Sequence, residues 1–558
     1  MTETATERDS ARVEIDPRRF DAGIEAIRSA VGGEHAVVGG PGLEAVAKAT
    51  IPDPRRPAAV IYPATAQEVA RVVQIARDHG IALWPVSAGR NWGYGSSTPA
   101  LENTVVLSLL RLNRIIEVNL DLAYAVIEPG VTYRQLRAHL EAHHPELWCD
   151  CTDGPPDGSV IGNALDRGLG VTHYADHFGT LCGLEVVLAN GEILRTGGGP
   201  ANCKTWHTHK WGVGPYIEGL FSQSNFGVVT KAGVWLMPRP EAFASFTFDL
   251  RRPEDLPELV DTVRQLALEG VLQSASHIIN DVVVLSVLSQ YPAHLLERHS
   301  RLPDSVLAAM RHRYGIGAWS YGGGIQGTVP YIRVAKQELR RRLGPLGRLM
   351  FFDDQAIRRI ETLIRWRRRP LLARPIDWTV RAITGKSPEM LEAAPQVHSV
   401  LKGRPSDYFV RHAYFKSPLP KPEFAHPDRD NCGIVWFAPI APMTGRHIEE
   451  VLGLCRPLFE RYAFDFYAAL LVQNARSMIV LMSIFFLKDD SGQERRAREL
   501  YEELGSVTSA AGYQQYRMGT GGMSSLGTSS PDFVRVVTAM RRALDPLGIL
   551  APGKYGIR

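Results

Sequence analysis

Three separated segments place small residues in series, the arrangement that exposes backbone N–H groups on a concave surface. They are Ser87-Ala-Gly-Arg-Asn-Trp-Gly-Tyr-Gly95, Gly158-Ser-Val-Ile-Gly-Asn-Ala-Leu-Asp-Arg-Gly168 and Gly219-Leu-Phe-Ser-Gln-Ser-Asn-Phe-Gly-Val-Val229. A nest of such amides binds phosphate oxygens without any side-chain cation. The first segment is not a P-loop, since no Gly-Lys-Ser/Thr follows, and it lacks the GxGxxG spacing of a nicotinamide fold. Taken singly, each segment reads equally well as a tight turn. Three in one region, each attached to a strand, point to a large phosphate-bearing cofactor. The candidate binding residues are Ser87, Ala88, Gly89, Arg90 and Asn91 in the first segment, Gly158, Ser159, Gly162 and Asn163 in the second, and Ser222, Ser224, Gly227 and Val229 in the third. Metal chemistry finds no matching pattern: Cys149 and Cys151 lack a second pair or a histidine at ligand spacing, so no metal site is expected.

The elements that must position these loops follow from periodicity. Apolar Val69, Val72, Val73, Ile75 and Ala76 form a helical stripe over 66–79, closed by Gly80. Residues 81–87 then read as a buried strand running straight into the first loop. Further strands are predicted at 104–109, 124–128, 182–188, 192–196 and 228–237, with a helix at 132–142. After Pro238-Arg-Pro240 the texture changes to longer amphipathic segments at 255–269, 332–342, 354–365 and 446–462, with strands such as 434–440 between them. This reads as a second α+β domain inserted into the first.

Composition bounds the function classes. The chain has 558 residues, 45% hydrophobic and 22% charged, and 63 Lys+Arg against 59 Asp+Glu leave a net charge of only +4. More than one domain is expected at this length. So small a surplus is no footprint for nucleic acid, and Arg365-Trp-Arg-Arg-Arg369 reads as a solvated helix face. The first ten residues are polar, and no run of 18 apolar residues occurs. A cytoplasmic protein with no membrane segment and reduced thiols is expected.

Five motifs carry a resemblance: Trp84-Pro-Val-Ser-Ala-Gly-Arg-Asn-Trp-Gly-Tyr-Gly95, Gly158-Ser-Val-Ile-Gly-Asn163, Gly183-Leu-Glu-Val-Val-Leu-Ala-Asn-Gly-Glu192, Gly214-Pro-Tyr-Ile-Glu-Gly-Leu-Phe-Ser-Gln-Ser-Asn225 and Ile549-Leu-Ala-Pro-Gly-Lys554. Across nearly its whole length the chain resembles the vanillyl-alcohol oxidase and p-cresol methylhydroxylase flavoproteins, close to their 4-alkylphenol-oxidising branch. The resemblance implies an α+β fold in which residues 1–242 and 512–558 form the FAD-binding domain and residues 243–511 an inserted cap. It places the FAD pyrophosphate on the amides of residues 87–91 and adds Lys554 to the cofactor-binding residues. The family's substrates are para-substituted phenols, which lose a hydride from the benzylic carbon to flavin N5 through a quinone methide. Its two tyrosines and arginine, which hold the phenolate, fall on Tyr94, Tyr516 and Arg517. Arg517 would also face the charge that develops at N1 and O2 of the reduced flavin. Asp153 falls near the family's acid beside N5, with Asp157 and Asp150 as alternatives, because the loop carries an apparent insertion and Pro155-Pro156. A small phenolic substrate, O₂ or another electron acceptor, and a homo-oligomer are the expected partners.

The chain also departs from the family. Ile434 stands where the oxidases carry the histidine bonded to FAD, and the segment holding the methylhydroxylases' tyrosine contains only His426, so non-covalent FAD is predicted. Where the family places a glutamate and a His-His pair, this chain has Ala469 and Met478-Ile479. A larger, drier pocket is expected, with less assistance to water addition. Cys149 and Cys151, near the position where some flavoproteins bond cysteine to flavin C6, are read as packed side chains. The alternatives are oxidation of a non-phenolic alcohol or a flavin binder without turnover.

Overall fold

Local chemistry starts the helices where periodicity put them. In Ala66–His79, Thr65 Oγ1 accepts from the Glu68 amide at 3.1 Å while the Glu68 carboxylate accepts from the Ala64 amide at 2.8 Å, a reciprocal cap. Gly80 ends the helix at φ 69°, in the left-handed region. The apolar stripe of the helix packs on a four-stranded sheet in the order Ala36–Val37, Ala59–Ile61, Val105–Ser108, Leu83–Val86, whose last three strands are parallel. The computed structural model describes residues 12–296, 301–526 and 530–557.

The C-terminal tail returns to this sheet. Leu83 donates to Ile549 O and accepts from the Ala551 amide, both at 2.7 Å, so the tail adds to the edge strand just before the first glycine loop. A five-stranded antiparallel sheet follows in the order Ile115–Asn119, Tyr124–Ile127, Val228–Trp235, Leu181–Val187, Ile193–Arg195. The second and third loops hang from its strands and the helices beside it.

All strands of the eight-stranded antiparallel sheet come from Ala242–Leu487, with Ser276–Asn280, Tyr467–Val472, Ser477–Leu487 and Cys432–Phe437 adjacent in that order. Strand alternation gives it two faces. Ile278, Leu470, Val480, Ile484 and Val435 pack against the helices Leu256–Leu268, Val329–Leu343, Gly445–Arg461 and Ser491–Ala510. The opposite face, with Ile279, Ala469, Ile479, Leu481, Phe485, Ile434 and Trp436, packs with Trp92 and Leu169 from the glycine loops and with Tyr516.

The first loop is stitched to this sheet region. Asp428 accepts from Trp92 Nε1 at 2.8 Å and Ser96 Oγ at 2.9 Å, and Gly93 O accepts from the Trp436 amide at 3.0 Å. Gly93 has φ 78°, and a Cβ there would lie 2.8 Å from the Trp436 ring, so only glycine fits. Burial pushes the Asp428 carboxyl up to about 7, against the lowering effect of its two hydrogen bonds. A carboxyl that binds its proton more tightly folded than unfolded stabilises the protein below about pH 4. That contribution is lost as pH rises through 7 and amounts to roughly 4 kcal/mol in all. Asp428→Asn is therefore expected to flatten this component of the melting temperature between pH 4 and 7.5, as read by calorimetry. An unchanged profile contradicts the assignment.

Candidate active site

One cavity lies between the three glycine loops, the C-terminal tail and the open face of the large sheet. Ser87, Ala88, Gly89, Arg90 and Asn91 line it from the first loop, Gly158, Ser159, Gly162 and Asn163 from the second, Ser224, Gly227 and Val229 from the third, and Lys554 from the tail. Ser222 is the exception. It is buried beside the cavity, where its hydroxyl accepts from Arg167 Nε at 2.8 Å, and it does not line the space.

The lining fits the dinucleotide that the sequence implies. The backbone amides of residues 87–92 have no acceptor among the described residues, as an anion nest requires. The first two loops meet at Gly162, where a Cβ would lie 2.8 Å from Ser87 Oγ and 3.0 Å from Ser87 Cβ, so the Ser87 side chain packs against the Gly162 backbone as closely as glycine allows. Arg90 and Lys554 supply cations at the wall, Lys554 Nζ lying 4.0 Å from Asp166. Asn225 anchors the tail by donating to Ala551 O and Ile557 O, while its buried Oδ1 has no partner.

Tyr94, Tyr516 and Arg517 come together at the far end. The Arg517 guanidinium lies 4.2 Å from the Tyr94 ring centre and 5.4 Å from that of Tyr516. Tyr94 is 1% exposed and Arg517 6%, and both line the cavity. Tyr516 is held by its backbone, its amide donating to Ala438 O at 3.0 Å and its carbonyl accepting from Gln223 Nε2 at 3.0 Å. The Tyr94 hydroxyl and Arg517 Nε are sealed from water, and the hydroxyl interacts with Tyr516 and Arg517. Burial, and secondarily the neighbouring Tyr516, push the Tyr94 phenol well up. Burial alone would lower Arg517, but the facing Tyr516 and Tyr94 outweigh it, so the guanidinium is held more firmly protonated.

Of the three candidate aspartates, two are engaged elsewhere. Asp150 is buried and accepts from the Cys151, Val171 and Thr172 amides, and Asp157 pairs with Arg134 at 2.7 Å in solvent. Asp153 turns toward the large sheet. Its side chain is 48% exposed and lies 4.0 Å from His277 Nδ1, while its neighbours Thr152, Gly154 and Pro155, rather than Asp153 itself, line the cavity. The charge of Asp153 also acts on His412 and Tyr467.

Other expected positions resolve by parity. Ala469 and Ile479 lie on the face toward the cavity, but Met478 points into the opposite core, so the pair Met478-Ile479 contributes one residue, not two. Ile434 lines the cavity. His426 does not: Arg90 contacts its Nε2 and the Arg429 amide donates to its Nδ1 at 3.3 Å. Cys149 and Cys151 are packed in the core beneath the five-stranded sheet, and burial pushes the Cys149 thiol up to about 12. Among the described residues, no group of three or more His, Cys, Asp or Glu is placed to hold a metal ion, and no helix is long and apolar enough to cross a membrane. His277, His412 and Trp436 were not singled out from the sequence. Strand alternation from Ile434 could have found Trp436, whereas His412, in a short helical turn, carries no periodic signal.

Comparison with known proteins agrees with this geometry. Residues 57–197 match a family model described as an FAD binding domain. The chain is 36% identical over 548 residues to 1'-carboxy-chondrochloren decarboxylase of Chondromyces crocatus, covering 98% of each. It is 28% identical to the 4-cresol dehydrogenase flavoprotein subunit of Pseudomonas putida, covering 96% of each. The structure of 4-ethylphenol oxidase from Gulosibacter chungangensis superposes with a TM-score of 0.85 at 29% identity, covering 98% of both chains.

The contact at Gly162 yields a test. Gly162→Val would force the first two loops apart, so the purified variant is expected to carry less than about a tenth of the normal flavin, by absorbance, while retaining its far-UV spectrum. Full flavin occupancy would show that the close approach is not needed.

Proposed function

Because the chain belongs to the vanillyl-alcohol oxidase and p-cresol methylhydroxylase family of FAD-dependent oxidoreductases, we propose that it oxidises a para-substituted phenol at the benzylic carbon. In this reading residues 1–242 and 512–558 hold the cofactor and residues 243–511 cap it. The observation that carries the reading is the buried guanidinium of Arg517 between the Tyr94 and Tyr516 rings, inside the cavity that suits FAD. When bound, FAD supplies the acceptor for the hydride.

The protein's part is electrostatic. A phenol must ionise before its ring can release electrons toward the benzylic carbon. Lowering its pKa from about 10 to about 7 needs roughly 4 kcal/mol at the phenol oxygen. Tyr94 and Tyr516 donate hydrogen bonds to that oxygen, and Arg517 supplies a full positive charge in surroundings closed to water. Single preorganised donors of this kind contribute about 3–4 kcal/mol, so the clamp is of sufficient strength. Asp153, beside the open sheet face, suits proton exchange at the substrate tail. Dioxygen or another acceptor completes the cycle.

The apolar side chains of Val410, Ala413 and Ile434, which line the cavity, favour a second reading, suggested by the decarboxylase relative: oxidation coupled to loss of CO₂ from the carbon next to the benzylic one. A carboxylate carried against such a wall loses its hydration, and release of CO₂ relieves that cost. The cofactor is proposed to be held without a covalent bond, since the alkyl side chain of Ile434 cannot form one and His426 is held by Arg90 and Arg429.

Anaerobic addition of 4-ethylphenol should bleach the visible flavin absorbance, and Arg517→Ala should slow the bleaching about 10²–10³-fold. Bleaching by non-phenolic alcohols alone would sink the phenol reading, and ¹³CO₂ released from a labelled 3-(4-hydroxyphenyl)propanoate would favour the second. In acid, the flavin is expected to separate from the precipitated polypeptide; yellow colour retained in the pellet contradicts non-covalent binding.

A further inference from the structure

Tyr94 and the Tyr516-Arg517 pair come from distant parts of the chain, and one side chain registers them. Gln223, in the third glycine loop, donates from Nε2 to Tyr516 O at 3.0 Å and to Asp166 O at 3.2 Å. Both amide hydrogens are thereby committed, to carbonyls on two different segments. The reverse orientation would set Oε1 against two carbonyl oxygens, so the network itself fixes which way the amide points. The Tyr516 carbonyl belongs to the peptide unit that carries the Arg517 nitrogen. That unit is planar, so with Gln223 on its oxygen and the Tyr516 amide bonded to Ala438 O at 3.0 Å, the point from which the Arg517 side chain departs is set.

The other end of the link leads to Tyr94. Asn91 Nδ2 donates to Asp166 Oδ2 at 3.3 Å, and Asn91 O accepts from the Tyr94 amide at 3.1 Å. A continuous path therefore runs from Tyr94 through Asn91, Asp166 and Gln223 to Tyr516, and Gln223 is where the first two loops meet the tail. Its backbone is committed to this task. Gln223 has φ 48°, in the left-handed region that a residue with a Cβ disfavours and keeps only where surrounding bonds over-determine it. Such bonds are present: its own amide donates to Leu165 O at 2.8 Å, and Arg167 Nε donates to the adjacent Ser222 hydroxyl at 2.8 Å. Gln223, Asp166 and Arg517 all line the cavity.

We infer that Gln223 is a positioning residue of the reaction: it sets Tyr516 and Arg517 in register with Tyr94, and so sets how strongly the clamp favours a phenolate over a phenol. It acts through Tyr516 and Arg517 rather than on the substrate. Donors aimed at one oxygen lose strength steeply when tilted or displaced, so a shift of the Tyr516-Arg517 peptide weakens the clamp without emptying the cavity. The inference rests on the phenol reading of the clamp and names the residue that tunes it.

The test uses oxidised holoenzyme with 4-hydroxyacetophenone, a phenol that has no benzylic hydrogen to give up, and follows ionisation of the bound ligand by its phenolate absorbance across pH. In the unaltered protein the midpoint is expected below that of the free ligand. Gln223→Met, similar in shape but unable to donate, should raise the midpoint by at least about one pH unit, a roughly tenfold weaker preference for the phenolate. Acetophenone, which lacks the hydroxyl, should bind both proteins alike within about twofold. Gln223→Asn keeps the amide but is a methylene too short to span both carbonyls, and should move the midpoint the same way if Gln223→Met loses its flavin. An unmoved midpoint in a flavin-loaded variant, or an equal loss of affinity for the two ligands, is what a merely structural role would give; either overturns the inference and leaves the phenol reading intact. A midpoint in the unaltered protein no lower than that of the free phenol overturns both.

Discussion

A guanidinium buried between two phenol rings is the interaction on which the rest of the site depends. Arg517 is 6% exposed and, among the described residues, has no ion pair with a carboxylate. The Asp166 carboxylate acts on it only from a distance, and a buried charge without a close partner is costly, so this arrangement makes physical sense where an anion completes it. The aromatic faces of Tyr94 and Tyr516 recover part of the cost through cation–π attraction, and the charge stays directed at the cavity.

Holding that charge in place requires three distant parts of the chain to converge. Tyr94 rides on the glycine loop that follows Leu83–Val86, and its carbonyl accepts from the Thr520 amide at 2.9 Å. Arg517 lies on the same tail segment, registered against the sheet by the Tyr516 amide bond to Ala438 O. Further on, the tail docks through Ile549 and Ala551 on the strand that launches the glycine loop. The glycine loop and the segment carrying Arg517 therefore share one backbone framework, so in the proposed reading the placement of Arg517 follows from strand pairing rather than from side-chain contacts alone.

Local regularities were legible in the sequence, and long-range convergence largely was not. The helix expected at 66–79 forms as Ala66–His79, and the strand expected at 182–188 as Leu181–Val187, because hydrophobic spacing and end residues determine both. The phosphate loops could be seen because glycine clusters report backbone demands directly. Tyr94 and the pair Tyr516-Arg517 were visible only through family motifs, since nothing in their own neighbourhoods says that they meet. Asp153 could not be separated from Asp150 and Asp157 until their partners were known. Ser222 and Met478 were misplaced for the same reason, that one residue of offset changes the face a side chain meets. His412, which lines the cavity from a short helical turn, carries no periodic signal by which it could have been found.

The loss of ionisable groups at positions 469 and 479 beside an intact clamp separates two functions that one pocket combines. In the proposed reading, ionising the phenol depends on charge at its oxygen, which Arg517 would supply. In the same reading, choosing the para substituent depends on the sheet-side wall, where Ile434 and Trp436 line the cavity. An apolar wall leaves the first step untouched, since screening falls when water is excluded and the guanidinium acts more strongly in dry surroundings. The same wall withdraws the polar groups that would orient water toward a quinone methide. Evolution of such a wall without change in the clamp is therefore a route to new substrates rather than to lost catalysis.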